Sequence, residues 1–169
     1  VCHRDLKPEN ILFSSVEEDS QLKLIDFGLS KIFNGDDNTM KGLVGTTFYM
    51  APEVITGKYN EKCDVWACGV ILYIMLCGKP PFYSKDETEL RNKICEMKFE
   101  FNHPEFKHIS EEAKDLIRSI LVSKDLRPSV AEVLEHKWIL ENAPNSSEEA
   151  LNIDWLHVQK YSQLNLKKK

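Results

Sequence analysis

A chain of 169 residues, 42% hydrophobic and 29% charged, has the make-up of a globular protein with one cored domain and a tail. Its 22 basic and 27 acidic residues sum to −5, which gives no support for nucleic-acid binding; its most apolar run, residues 65–77, falls well short of the roughly 20 residues a membrane span needs. The five cysteines (Cys2, Cys63, Cys68, Cys77, Cys95) form no CxxC pair and suit a reducing, cytoplasmic compartment, three of them in an apolar helical run where they act as small hydrophobes.

Residues 1–10 read as a loop leading into a short strand, Ile11–Phe13. A second strand at 21–25 pairs with it across a polar turn at 14–20, which brings Asn10 and Asp26 near each other. No period is sustained from 29 to 50, with Asn34-Gly35-Asp36-Asp37-Asn38 at the centre, so this is a long loop of the kind that is usually functional. A short helix follows Ala51-Pro52-Glu53 to about Gly57. The next helix, from about 61 to 76, is apolar and core-buried, and Gly78-Lys79-Pro80-Pro81 stops it. Asp86 opens a helix to 97 with Leu90, Ile94 and Met97 on one face. Ser110-Glu111-Glu112 starts another, with Ala113, Leu116, Ile117, Ile120 and Leu121 inward, and Ser129 opens a last one through Val130, Val133 and Leu134 to Trp138. Composition shifts at 142–147, so the expected organisation is a domain at 1–140 followed by a linker and regulatory tail at 141–169.

Three short motifs carry chemistry: His3-Arg4-Asp5-Leu6-Lys7-Pro8-Glu9-Asn10, then Asp26-Phe27-Gly28, then Ala51-Pro52-Glu53. Transfer of a phosphoryl group needs a base near the acceptor hydroxyl, charge neutralisation on the phosphate oxygens, and hard oxygen ligands for metal ions. An aspartate alone in a loop is more often a cap or a turn former; the joint occurrence of all three motifs in order reverses that weighting. His103, His108, His136 and His157 show no zinc-ligand spacing with the cysteines.

These motifs resemble the large, C-terminal lobe of a Ser/Thr protein kinase. The resemblance implies an α+β, mainly α-helical fold with a small β-hairpin at the catalytic loop. The small lobe's Gly-rich loop, strand lysine and helix glutamate have no counterpart, since the seven glycines are scattered; a large-lobe fragment lacking the N-terminal lobe, inactive alone, is therefore expected. By resemblance Asp5 is the base, Lys7 contacts the transferring phosphate, and Asn10 and Asp26 ligate Mg²⁺ beside ATP. Phe27 and Gly28 complete that second motif. Glu9, grouped with the nucleotide side of the loop, also favours arginine near the acceptor. His3 packs beneath the loop, and Arg4 offers a switch by pairing with charge on the activation segment. Thr39 as a phosphoacceptor and Asp36 and Asp37 as standing charge compete there with a plain solvated turn. Thr46 bridges Asp5 and Lys7, Glu53 pairs with Arg127, and Asp64 braces the loop backbone near His3 and Arg4.

The wording around Glu61-Lys62-Cys63-Asp64-Val65-Trp66, Gly78-Lys79-Pro80-Pro81-Phe82-Tyr83 and Glu135-His136-Lys137-Trp138-Ile139 is similar to the calcium/calmodulin-regulated group, and best to calcium-dependent protein kinases. Tyr161-Ser162-Gln163-Leu164 running into lysines looks like an autoinhibitory junction; a basic amphipathic helix on the lobe and a disordered terminus remain equal readings. No DxDxDG…E loop occurs, so calcium would act through a calmodulin-like sensor absent from this chain. Expected partners are substrates with basic residues near Ser/Thr, not nucleic acid or membrane, with self-association through exposed apolar surface. The alternative is a catalytically inactive lobe that binds substrates or calmodulin-like partners.

Overall fold

The computed structural model describes residues 1–16, 20–32 and 39–142. Two strands, β1 (Ile11–Phe13) and β2 (Leu22–Leu24), pair antiparallel with Ile11 opposite Leu24, Leu12 opposite Lys23 and Phe13 opposite Leu22. The second strand is shorter than the expected 21–25. Because side chains alternate along a strand, Ile11, Phe13, Leu22 and Leu24 share one face, and Phe13 and Leu22 are 70% and 61% exposed. Short 3₁₀ turns at Pro8–Asn10 and Phe27–Leu29 flank the hairpin. The stretch read as an unbroken loop contains a further 3₁₀ turn at Thr47–Tyr49, and two isolated bridges, Cys2 with Lys31 and Met40 with Tyr59, fix it near its start and at its middle.

Among the described residues six helices follow: α1 (Pro52–Thr56), α2 (Lys62–Cys77), α3 (Glu87–Glu96), α4 (Glu111–Ile120), α5 (Val130–Leu134) and α6 (Lys137–Asn142). Their ends obey local chemistry. Asp86 accepts from Glu89 N at 2.8 Å, Ser110 accepts from Ala113 N at 3.2 Å, and Ser129 with Glu132 closes a reciprocal capping box. Gly57 and Gly78 take the left-handed conformation that ends α1 and α2.

The core is built around α2, in which eleven of sixteen residues are buried, as the absence of a polar stripe predicts. It meets α4 at Gly69, where an added Cβ would lie 2.5 Å from Ile120 Cγ2. Tyr73 joins Phe99, Phe101 and Phe106 in one aromatic cluster and donates to the Glu100 carbonyl at 2.7 Å. Among the described residues no helix is long and apolar enough to cross a membrane.

Two expectations are corrected. Cys68 faces outward from α2 instead of serving the core, while Cys63 and Cys77 are buried. The single helix expected from Ser129 to Trp138 is two helices. Glu135 ends α5, and His136 Nδ1 accepts the backbone N–H of Trp138 at 3.2 Å, so the histidine side chain caps a new start. The break lets Trp138 and Ile139 pack on the core and leaves Val130 and Leu134 exposed.

Candidate active site

Loop 3–10 is held from beneath by α2. Asp64, in its first turn, accepts His3 N through Oδ2 at 2.6 Å and Arg4 N through Oδ1 at 2.9 Å. Those two bonds hold Arg4 at a φ of +69, a conformation that bulky residues rarely adopt without such support. His3 is buried against Phe27, with ring centroids 4.9 Å apart. Its Nδ1 accepts the Asp5 N–H at 3.3 Å, which assigns the ring proton to Nε2, the atom 3.0 Å from the Ile25 carbonyl. The histidine therefore ties the loop to the far end of the hairpin.

Asp5, Lys7 and Thr46 form one hydrogen-bonded cluster. Asp5 Oδ1 accepts both the backbone N–H and the hydroxyl of Thr46 at 2.9 Å, and Lys7 Nζ donates to Asp5 Oδ2 at 2.6 Å and to Thr46 Oγ1 at 3.0 Å. A single hydroxyl thus accepts from the lysine and donates to the aspartate. Gly45 makes the approach of this segment feasible: its φ is +103 and an added Cβ would sit 2.6 Å from the Arg4 carbonyl.

Asn10 is buried, and its Nδ2 donates to the Asp5 carbonyl at 2.8 Å, which leaves the amide oxygen as the ligand atom it offers. The Ile25 N–H to Asn10 carbonyl bond of 3.0 Å continues the hairpin ladder, so Asp26 emerges next to Asn10 as expected. Asp26 is left-handed at φ +61, with Oδ1 accepting Gly28 N at 3.3 Å. An amide oxygen and a carboxylate are hard donors, the type that suits Mg²⁺.

The remaining expected residues are placed as follows. Glu53 and Arg127 form a bidentate buried pair at 2.5 and 3.0 Å. Arg4 donates through Nε to the Leu29 carbonyl and through Nη1 to the Tyr59 hydroxyl at 3.4 Å. Thr39 is exposed, and Lys31 Nζ reaches its carbonyl at 3.4 Å. Asp36 and Asp37, with the tail readings at 143–169, lie outside the described residues. Glu9 Oε2 is buried without a hydrogen-bond partner among the described residues. Tyr49 lies beneath; burial first, then the negative charges of Glu9 and Asp5, push its phenol above the ordinary range.

Sequence reasoning missed Tyr59, which is 1% exposed and links Arg4 to the bridge with Met40, and it missed the Cys2–Cys63 contact. Neither residue type carries a local signal for a partner so distant in sequence. Gly45 was legible in principle, as a glycine directly before a threonine pair.

A helical lobe with a small hairpin, an aspartate–lysine–threonine cluster and two hard oxygen donors at the hairpin base defines a phosphotransferase class of site. The chain belongs to the protein kinase domain family, whose model matches residues 1–139. It is 47% identical over 139 residues to calcium-dependent protein kinase 3 of Plasmodium berghei (strain Anka), covering 82% of this chain and 25% of that protein. Calcium-dependent protein kinase 4 of Plasmodium falciparum (isolate 3D7) is 48% identical over 156 residues, covering 91% of this chain and 29% of that protein. Calcium-dependent protein kinase 12 of Arabidopsis thaliana is 45% identical over 172 residues, covering 100% of this chain and 34% of that protein. The chain thus spans between a quarter and about a third of the length of these curated relatives. ATP and Mg²⁺ are what the family uses in general.

Proposed function

We propose that this chain carries the phosphoryl-transfer site of a Ser/Thr protein kinase. The observation that carries the reading is the Asp5–Thr46–Lys7 cluster, because it poises a carboxylate and an ammonium on one small patch. In this reading Asp5 orients the acceptor hydroxyl and takes its proton. Lys7 moves from Asp5 to the phosphate being transferred, and Thr46 keeps the carboxylate in place meanwhile. Magnesium held by Asn10 and Asp26 would neutralise charge on the phosphate oxygens. The Glu9 carboxylate oxygen that has no hydrogen-bond partner among the described residues, and the acidic start of α3 with Glu87 and Glu89 exposed, favour substrates with basic residues near the acceptor.

Calcium regulation rests on the names of the relatives and would act through a sensor other than the described residues. Residues 141–169 are assigned as a linker and regulatory tail, and the cytoplasm as the compartment. The exposed apolar face of the hairpin favours a second reading, a non-catalytic module that associates through that face.

The test is a chimera in which residues 1–139 replace the matching segment of the Arabidopsis relative. Labelled ATP is supplied with arginine-containing peptides that differ only in Ser, Thr or Tyr at the acceptor. Transfer to Ser and Thr is expected, and Asp5→Asn should lower it by roughly 10²–10⁴-fold. A folded, ATP-binding chimera that transfers nothing, or one whose transfer is undiminished by Asp5→Asn, sinks the reading.

A further inference from the structure

Two cysteines that are 61 residues apart in sequence touch behind loop 3–10. Cys2 Sγ and Cys63 Sγ are 3.5 Å apart, a thiol–thiol hydrogen bond between side chains 0% and 5% exposed. The backbone of Cys2 is fixed by its bridge to Lys31, with bonds of 2.9 and 2.8 Å, and Cys63 sits in the first turn of α2. Each neighbours a residue of the brace already described: Cys2 precedes His3, and Cys63 precedes Asp64, which accepts the His3 and Arg4 N–H groups. Asp64 lies close enough to complete a three-donor cluster, but both its carboxylate oxygens are already committed to those amides. A disulfide needs only the two sulfurs already in contact, and chelator keeps a metal at this cluster out of the test below.

The geometry points to Cys2 and Cys63 as an oxidisable pair whose disulfide covalently tethers loop 3–10 to α2. The oxidant is a peroxide of the size of H₂O₂. A cavity of about 20 Å³, lined by Cys63, Asp64, Asp5 and Thr46 among others, adjoins one of the two cysteines. That volume is of the order that admits a water-sized molecule. Cys63 is then the sulfur attacked first: its thiol takes one oxygen from the peroxide, becoming a sulfenic acid, and water leaves. The Cys2 sulfur displaces hydroxide from that sulfenic acid, the S–S bond forms, and the departing hydroxide leaves with the Cys2 proton as a second water. The two electrons lost by the sulfurs have reduced the O–O bond, so the step balances as two thiols and one peroxide giving one disulfide and two waters.

Reaction order follows from exposure. The contact with Cys63, then burial, then the Asp64 charge hold the Cys2 thiol protonated, so the pair is slow to oxidise. Cys68 is exposed and Cys95 half-buried, so peroxide reaches them first, although crowding around each sulfur and, at Cys68, the Asp64 charge push both thiols up, Cys68 to about 11; neither has a second sulfur at contact distance among the described residues. The tether makes the docking of loop 3–10 on α2 independent of the Asp64 brace. It needs only the thiol chemistry of this chain and does not rest on the kinase reading.

The experiment treats the folded 169-residue chain with graded H₂O₂ in the presence of chelator, blocks remaining thiols with N-ethylmaleimide, and digests it without reductant. Expected is a peptide pair in which fragmentation places Cys2 against Cys63, not Cys68 or Cys77, and which dithiothreitol separates. Amide exchange at His3 and Arg4 should slow at least tenfold in the linked chain. Cys63→Ala should lose the link and leave Cys2 alkylatable once the chain is unfolded. The inference is overturned if, at a dose that has fully oxidised Cys68, Cys2 and Cys63 are both still alkylated after unfolding, or if Cys2 is linked elsewhere. Unchanged exchange at His3 and Arg4 in the linked chain overturns the tether.

Discussion

Replacing Arg127 by methionine should remove a large part of the stability of this domain. The guanidinium is 1% exposed and has five N–H donors, all committed: Nε to the Ile120 carbonyl at 3.1 Å, Nη1 to Glu53 Oε1 at 2.5 Å and the Lys62 carbonyl at 2.9 Å, Nη2 to Glu53 Oε2 at 3.0 Å and the Val122 carbonyl at 2.9 Å. It also lies 4.8 Å from the centroid of the buried Trp66 ring. Methionine restores most of the volume and none of the charge, so Glu53 is left ionised in a buried place. Breaking such a pair costs about 3–5 kcal/mol, and losing the cation–π contact adds about 0.5–2 kcal/mol. The loss of about 5 kcal/mol compares with a total stability of roughly 5–15 kcal/mol for a domain. With a urea dependence of about 2 kcal/mol per molar, the midpoint should fall by about 2.5 M, followed by far-UV circular dichroism and by tryptophan fluorescence. Adding Glu53→Leu to Arg127→Met should recover part of the loss, because the stranded carboxylate is gone. A midpoint that moves by less than about 0.5 M, or a double variant weaker than the single, would refute this account.

Gly69→Ala should lower the same midpoint by an amount equivalent to about 1–3 kcal/mol, since the new methyl would lie 2.5 Å from Ile120 Cγ2. Alanine elsewhere in a helix interior stabilises by about 1 kcal/mol, so a rise would disprove the close α2–α4 approach. Thr46→Val removes the hydroxyl shared by Asp5 and Lys7 and should slow phosphate transfer by roughly tenfold to a hundredfold in the chimera, while Thr46→Ser stays near the parent rate. Burial pushes the Cys77 thiol from its ordinary value of 9.0 up to about 11, and burial pushes the Tyr49 and Tyr73 phenols up as well. These groups hold their protons more tightly when folded; the Cys77 contribution is complete below about pH 9 and is lost as pH rises through about 11, and the tyrosine contributions begin to fall above their ordinary value of 10.0. Urea midpoints of the reduced chain should therefore be level up to about pH 9 and decline beyond it, and a level curve to about pH 11 contradicts the assignment.

The candidate residues singled out by the sequence motifs are mostly short-range neighbours. Asp5, Lys7 and Asn10 lie within six residues, and the hairpin needed only a polar turn between two short strands to bring Asp26 to Asn10. Thr46, Asp64 and the Glu53–Arg127 pair were singled out by resemblance alone, because each makes its hydrogen bonds to residues far away in sequence. The break at His136 escaped notice for a physical reason. A histidine inside an apolar period does not announce that its ring nitrogen will replace a backbone carbonyl as the acceptor for Trp138 N.

What the sequence determined by itself was everything decided within one turn of chain. The caps at Asp86, Ser110 and Ser129, the stops at Gly57 and Gly78, and the inward row from Ala113 to Ile120 follow from hydrogen bonds and periodicity that span three or four residues. Only the tertiary structure decided that Cys2 meets Cys63, that Tyr59 reaches Arg4, that Cys68 faces outward, and that Arg127 finds five acceptors on four different residues. Those outcomes depend on how α2 packs against its neighbours. A contact across some sixty residues is set by the shape of the assembled core, which no local pattern encodes.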